Sequence, residues 1–447
     1  MSLNKKLKSL KANRAISLHV PGHHNNTIGN LKDLNLDMDM TEITGLDDLH
    51  QPESCIKTSM EQMDRYPGYS AQYLVNGTTV GILSTIYAVA HLEGEILIPR
   101  NAHKSIYNGL SLTQQKARWM AMTVSSKTKE YDGVKGLEQL DLSKVKLAIF
   151  TYPNYYGETF EIEKCIKILK EHNIPILVDE AHGAHFGISS YFPKSSLEYQ
   201  ADIVVQSYHK TLPALTMGSV IYIKNTLEFK HIIQEHLSML QSSSPSYLIM
   251  SSLEYAEEFY KQYNDEKFQL NRNLLIKCLE SKGFTVGRLT DPLKLIVSQR
   301  CLSGFAVQNI FEEANIYVEL SNHDFVLLVL PLWDISDHFP FDELLQRIQN
   351  FNLNIKEVKS YTETIELPTD SIECSIGKLN NLVTIPIEQA IGSVSGTNII
   401  PYPPGIPVIL KGELITKEVA DSLLQWIESG GRVEGIINKQ IKVKGEE

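Results

Sequence analysis

Five short apolar segments separated by stretches of helical period set the fold class. The segments are Glu95–Pro99, Val145–Thr151, Pro175–Asp179, Asp202–Gln206 and Ser219–Ile223. Helical stretches lie between several of them, such as Thr79 to Leu92 and Ile162 to Glu171. This alternation predicts an α/β fold with a mostly parallel sheet covered on both faces. In such sheets ligands bind at the carboxyl ends of the strands, so chemistry-bearing residues where a strand stops become the candidates.

Two strand ends carry such residues. One strand closes on Asp179, in Val178-Asp179-Glu180-Ala181-His182-Gly183, and the next leads into Ser207-Tyr208-His209-Lys210. The chain between Asp179 and Lys210 has room for one helix and one strand, which places the pair on different strand ends around one crevice. A lysine and a buried carboxylate so arranged are what pyridoxal phosphate requires. The lysine forms a Schiff base with the cofactor aldehyde, and the carboxylate keeps the pyridine nitrogen protonated. Each residue alone has a plainer explanation, a surface lysine or a structural ion pair; their combination is the signal.

Further residues extend this reading. Asn76-Gly77-Thr78-Thr79 opens a helix in which Val80, Leu83, Ile86, Tyr87 and Ala90 supply the buried stripe. Small and hydroxyl residues at a helix start suit a phosphate dianion. Ala181 is small enough to let a flat ring approach the backbone. Ser207 and His209 are placed to bind the phosphate, and His103 follows a strand at the same sheet edge, where an imidazole stacks on a ring. His182 and His185 have His-x-x-His spacing, but no nearby third ligand supports a metal, and none is expected.

Composition narrows the class. The net charge of −11 over 447 residues argues against nucleic acid or an anionic membrane as partner. The five scattered cysteines lack any Cys-x-x-Cys, which suits a reducing, cytoplasmic setting. No stretch reaches the roughly 20 apolar residues of a membrane span. A long helical region, Leu248 to Ser281, is expected to lead into strands at Leu293–Val297, Ile316–Leu320 and Phe325–Leu330. A charged linker at Lys356–Thr369 and a last helix at Lys417–Ser429 follow.

Together these strings resemble the ornithine/lysine/arginine decarboxylase family of fold type I pyridoxal phosphate enzymes. The resemblance runs nearly end to end. It rests on Pro21-Gly22-His23-His24, where the family usually has lysine at the last position, and on Gly45-Leu46-Asp47-Asp48-Leu49. The phosphate loop, Arg100-x-x-His103-Lys104-Ser105, Tyr152-Pro153-Asn154-Tyr155-Tyr156-Gly157, Asp179-Glu180-Ala181-His182-Gly183, Ser207-x-His209-Lys210 and Tyr402-Pro-Pro-Gly405-Ile-Pro407 follow in the family's order. The resemblance implies a segment at 1–45, a cofactor-binding large domain at 46–265, a small α+β domain at 266–368 and a short C-terminal domain at 369–447. It also implies the short form, without the wing domain that begins many large members.

By the same resemblance Lys210 is the Schiff-base lysine, Asp179 the partner of the pyridine nitrogen and His103 the stacking residue. Gly77, Thr78, Ser207 and His209 form the phosphate cup, with Thr79 a neighbour. The implied reaction is decarboxylation of arginine, lysine or ornithine to the amine and CO₂, in a homodimer or multiple of dimers with the site at the subunit boundary. Glu319, Asp47, Asp48 and Tyr402 are the candidate substrate contacts. Lys210 and His209 are candidates for returning the proton to Cα. Competing readings are an aminotransferase or β-lyase with the same Lys210 and Asp179, and a non-catalytic regulator derived from such an enzyme.

Overall fold

A computed structural model describes residues 2–353, 367, 369–370, 373–374, 379, 381–402, 407–428 and 431–445. Its centre is an eight-stranded sheet, whose strands are numbered here in chain order. They are β1 (Tyr69–Leu74), β2 (Glu95–Ile98), β3 (Lys116–Trp119), β4 (Val145–Thr151), β5 (Ile176–Asp179), β6 (Ile203–Gln206), β7 (Ser219–Lys224) and β8 (Glu373–Cys374). Across the sheet the order is β8-β3-β2-β4-β5-β6-β7-β1. The run from β3 to β6 is parallel, whereas β7 is antiparallel to both β6 and β1 and β8 is antiparallel to β3. The mostly parallel α/β sheet expected from the alternation is therefore present.

Alternation along each strand feeds two separate cores. Ala148, Phe150, Val178 and Val204 point into one, and Leu147, Ile149, Leu177 and Val205 into the other. Strands buried on both faces explain why these segments read as continuous apolar runs.

The helix Thr78–Ala88 departs from its expected one-sided stripe. Val80, Gly81, Ile82, Ser84, Thr85, Ile86 and Ala88 are buried, while Leu83, Tyr87 and Ala90 are only half-buried. It lies between the sheet and the helices Lys104–Thr113 and Lys230–Leu240, so more than one face is covered. Gly81 shows how tight this packing is, since a Cβ there would lie 2.9 Å from Val205 Cγ1.

The long helical region is two helices, Tyr247–Gln262 and Glu266–Ser281. Between them Tyr263 is extended and the Asn264 side chain accepts the Glu266 N–H at 2.9 Å, a local turn that competes with the helix. Beyond lies a four-stranded antiparallel sheet in the order Thr285–Arg288, Lys294–Ser298, Val326–Val329, Leu320–Ser321. The strand expected at Ile316–Leu320 is split at Glu319. Ile316–Val318 pairs in parallel with the N-terminal strand Ile16–Leu18, and Leu320–Ser321 joins the antiparallel sheet. The C-terminal unit packs Leu382–Pro386, Gln440–Lys444 and the helix Lys417–Glu428 around Ile387, Ile399, Ile409, Ile415, Leu423 and Ile441. Most of the expected linker Lys356–Thr369 lies outside the described residues. Among the described residues no helix is long and apolar enough to cross a membrane.

The N-terminal segment is woven into the rest. After the strand Ile16–Leu18, the Gly22 N–H donates to the His209 carbonyl at 2.8 Å. A Cβ at Gly22 would lie 2.6 Å from the Leu212 carbonyl oxygen and 2.8 Å from the Thr211 carbonyl carbon, both backbone atoms. Gly22→Ala is expected to destabilise the protein by about 1–3 kcal/mol through overpacking and to displace the segment that carries Lys210. A lowered urea midpoint together with reduced turnover is the expected result.

Candidate active site

Asp179 ends β5 and Thr151 ends β4, while Ser207 follows β6 at the start of the short helix Tyr208–Thr211 that bears Lys210. These strands are parallel neighbours, so their carboxyl ends open on one side of the sheet. A cavity of about 350 Å³ forms there. Asp179, Ala181, His182, His209, Lys210, Thr78 and His103 all line it, as does Glu319.

Burial dominates the electrostatics. The Lys210 amine is pushed below its ordinary pKa by burial, against the opposing pull of Asp179 and Glu319. Its Nζ lies 3.0 Å from His182 Nε2. The Asp179 carboxyl is pushed up by burial, although Lys210 and the Ala181 N–H, which donates to it at 3.2 Å, oppose the change. The adjacent Glu180 shows the contrast. It is fully buried but accepts from the Ser195 hydroxyl (2.7 Å), the Ser196 N–H (2.7 Å) and hydroxyl, and Gln206 Nε2 (2.6 Å). Glu180 is thus spent on structure, whereas Asp179 faces the cavity with one donor.

The histidines are held neutral. Burial, with the positive charges of Lys210 and Lys104, pushes His103 down to about 3. Burial pushes His209 down to about 4 despite its contact with the Gly218 carbonyl at 3.0 Å. Because a carbonyl only accepts, His209 Nδ1 carries the hydrogen. His182 is also driven well below its usual range, first by burial and then by Lys210. Its ring sits 4.5 Å from that of Tyr155, and its buried Nδ1 has no hydrogen-bond partner among the described residues.

On the opposite wall Glu319 accepts the Val20 N–H at 2.9 Å and the Tyr155 hydroxyl. The break between two strands at Glu319 leaves this residue beside the N-terminal segment. At the other end Thr78 Oγ1 lies 3.2 Å from Ser207 Oγ, and Gly77 takes a φ of +75° at the helix start.

These residues fit pyridoxal phosphate. A desolvated amine, a buried acid with little compensation and a buried hydroxyl at Thr151 Oγ1, unpartnered among the described residues, converge on one cavity. The profile of the Orn/Lys/Arg decarboxylase major domain matches residues 2–282, and that of the family's C-terminal domain matches residues 355–435. The chain belongs to the Orn/Lys/Arg decarboxylase family. It is a fold type I, pyridoxal phosphate-dependent carboxy-lyase acting on a basic amino acid.

This decarboxylase is similar to an uncharacterized protein of Bacillus subtilis strain 168, YaaO, at 35% identity over 96% of this chain and 94% of the relative. It is also similar to an arginine decarboxylase of the same organism, at 28% identity over 96% of this chain and 94% of that protein. In fold it resembles the constitutive lysine decarboxylase of E. coli, with TM-score 0.71 and 19% identity over 92% of this chain and 75% of that one. The Sphingomonas wittichii serine palmitoyltransferase shares the fold more distantly, with TM-score 0.56 and 16% identity over 75% of this chain and 86% of that one.

Several candidates of the decarboxylase sequence sit elsewhere. The Thr79 side chain is exposed and lines no part of the cavity. The Gly77 N–H is taken by the Met217 carbonyl at 3.1 Å, so Gly77 contributes its backbone shape and not a donor. Asp48 accepts the His50 N–H at 2.8 Å away from the cavity. Asp47 is a structural cap. Its carboxylate accepts N–H groups from Asp48 (3.0 Å), Glu53 (2.9 Å), Ser54 (2.9 Å), Ile56 (3.0 Å) and Lys57 (3.3 Å) at the start of the helix Cys55–Glu61. His185 turns away from His182 to contact Asp291 Oδ1 at 3.0 Å. The Tyr402 side chain lies outside the described residues.

Val20, Asn101, Thr151 and Thr216 also line the cavity, beyond the residues expected there from the sequence. Thr151 and Asn101 had the same strand-end signal as Asp179 and His103. Thr216 had none, because the loop after Lys210 returns to the site only in three dimensions.

Removal of Asp47 tests its capping role. Desolvation raises its pKa, but the N–H donors outweigh this and hold the carboxyl below its usual range. Its stabilisation is therefore present above the unfolded carboxyl pKa and lost as pH falls through the lower folded value. Asp47→Ala is expected to cost about 1–2 kcal/mol at neutral pH, read from the urea midpoint. The difference should shrink in acid, and kcat should stay near that of the parent.

Proposed function

We propose that Lys210 is the amine that anchors the cofactor aldehyde and that Asp179 lies against the pyridine nitrogen. In the same reading His103 faces the ring, Ala181 and His182 line its other surroundings, and Thr78, Ser207 and His209 hold the phosphate. The observation that carries this assignment is the convergence of Lys210, Asp179, His103 and Thr78 on one cavity. When bound, pyridoxal phosphate supplies the electron sink that takes up the pair left as the Cα–carboxylate bond breaks.

The protein's own groups do the rest. Burial lowers the Lys210 pKa and so favours the neutral amine, which is the nucleophilic form. Burial disfavours the Asp179 carboxylate, and a cation set against it would favour the charged form. Neutral His103 presents a flat face without adding positive charge beside Lys210. Lys210 or His209 returns the proton to Cα; both line the cavity.

We further propose arginine as the substrate and Glu319 as the residue that receives its guanidinium. Glu319 is the one carboxylate besides Asp179 among the described residues lining the cavity. Each of its oxygens already accepts one donor, and a carboxylate has capacity for about four. The remaining positions suit a two-pronged guanidinium. The near full-length similarity to proteins named arginine decarboxylase supports the same choice.

The expected division at 46–265, 266–368 and 369–447 belongs to this proposal, supported by a sheet centred in each region, with Glu373–Cys374 of the last region added at the edge of the large sheet. So does a homodimer, or a multiple of dimers. Exposed Met217 beside cavity-lining Thr216 leaves an apolar side chain for a second copy to cover. A cytoplasmic setting is supported by the free thiols of Cys55, Cys165, Cys278 and Cys301.

Release of CO₂ by the purified protein, measured with arginine, lysine and ornithine in parallel and with or without added cofactor, tests the reading. Arginine should give the fastest release, and faster turnover of lysine or ornithine overturns the substrate choice. Lys210→Ala should lose the visible band of bound cofactor and all turnover, and near-normal activity rejects the assignment. Asp179→Asn should keep part of the cofactor while kcat falls by at least about a hundredfold. Unchanged kinetics would assign the acid another task.

A further inference from the structure

The turn after β2 carries two cavity-lining residues, Asn101 and His103. It is gripped from outside by the C-terminal region. Arg100 is nearly buried, with its guanidinium 4.1 Å from the centre of the Trp119 ring. Its Nη2 donates to Glu413 Oε1 at 2.6 Å. The other oxygen of Glu413 accepts the Leu410 N–H at 2.7 Å. Leu410 itself is buried in the core of the large sheet to which Ile98, Ala102 and Trp119 also belong. A second, more exposed link joins Lys104 Nζ to Glu434 Oε2 at 2.9 Å.

Glu413 and the core contact of Leu410 therefore act on the same turn. A buried guanidinium that loses its carboxylate has either to remain as an uncompensated charge or to move toward water. Arg100 is three residues from His103, so outward movement carries the turn with it. We propose that Glu413 is a positioning residue for the decarboxylase site, acting through Arg100 to hold His103 against the cofactor. This rests on the reading that His103 faces the ring. Glu434, in an exposed pair, is worth little by comparison.

A double-mutant cycle with His103 tests the inference, using the full-length protein. The readout is the dissociation constant of pyridoxal phosphate, followed by the visible band as cofactor is titrated back, alongside kcat and KM. Glu413→Ala should weaken cofactor binding about tenfold and lower kcat more than it changes KM, while Glu434→Ala leaves both near the parent. In a His103→Ala background the effect of Glu413→Ala on cofactor affinity should largely vanish. An equal loss in both backgrounds overturns the inference, because Glu413 would then act on stability in general, as would unaltered affinity in Glu413→Ala alone. His103→Ala without effect on affinity sinks the ring-facing reading, and this inference with it. Glu413→Gln, which keeps the side-chain volume, serves the same cycle if the alanine variant does not fold.

Discussion

Desolvation of one amine and one carboxyl is the constraint around which the site is organised. Lys210 and Asp179 sit at neighbouring strand ends in a cavity where water does not stabilise either charge. Burial shifts both toward their neutral forms, and each opposes that shift in the other. An arrangement of this kind is costly until a ligand supplies compensating groups, which is why perturbed residues of this type mark functional sites. Glu180, one residue from Asp179, shows that burial alone does not have this effect. Its side chain is surrounded by four donor groups and belongs to the fold.

The large sheet supplies only part of the cavity wall. Val20 and Pro21 come from the N-terminal segment, tied to the Lys210 helix through Gly22 and to the small sheet through the pairing of Ile16–Leu18 with Ile316–Val318. Glu319 enters from the point where the chain leaves that pairing for the antiparallel sheet. The C-terminal region reaches the turn before His103 through Leu410 and Glu413. Residues far apart in the chain thus meet at one small volume. Gly22, outside the cavity itself, packs directly on the backbone that follows Lys210.

Local order in the sequence was enough for the elements that form the base of the site. Strands buried on both faces must read as continuous apolar runs, and the residue where each run stops must lie at the sheet edge. Asp179, Lys210 and His103 were legible for that reason. So was the helix start at Thr78, where a hydroxyl follows a glycine with positive φ. The division of the long helical stretch was not recognised, because Tyr263, Asn264 and Asp265 interrupt it through a side-chain turn without any glycine or proline.

The amino-acid order by itself determined the sheet, through short-range periodicity, and the family, through short motifs in a fixed order, and it placed Lys210 and Asp179 at strand ends. Only the tertiary structure separated the three candidate acids by their surroundings. Glu319 lines the cavity, Asp47 is consumed by five backbone N–H groups, and Asp48 turns to a local one. It likewise removed Thr79 from the cavity and brought Thr216 into it. The physical reason is that a carboxylate's role depends on which donors reach it. Contacts such as Val20 to Glu319 or Arg100 to Glu413 join positions about three hundred residues apart, and no local pattern records them.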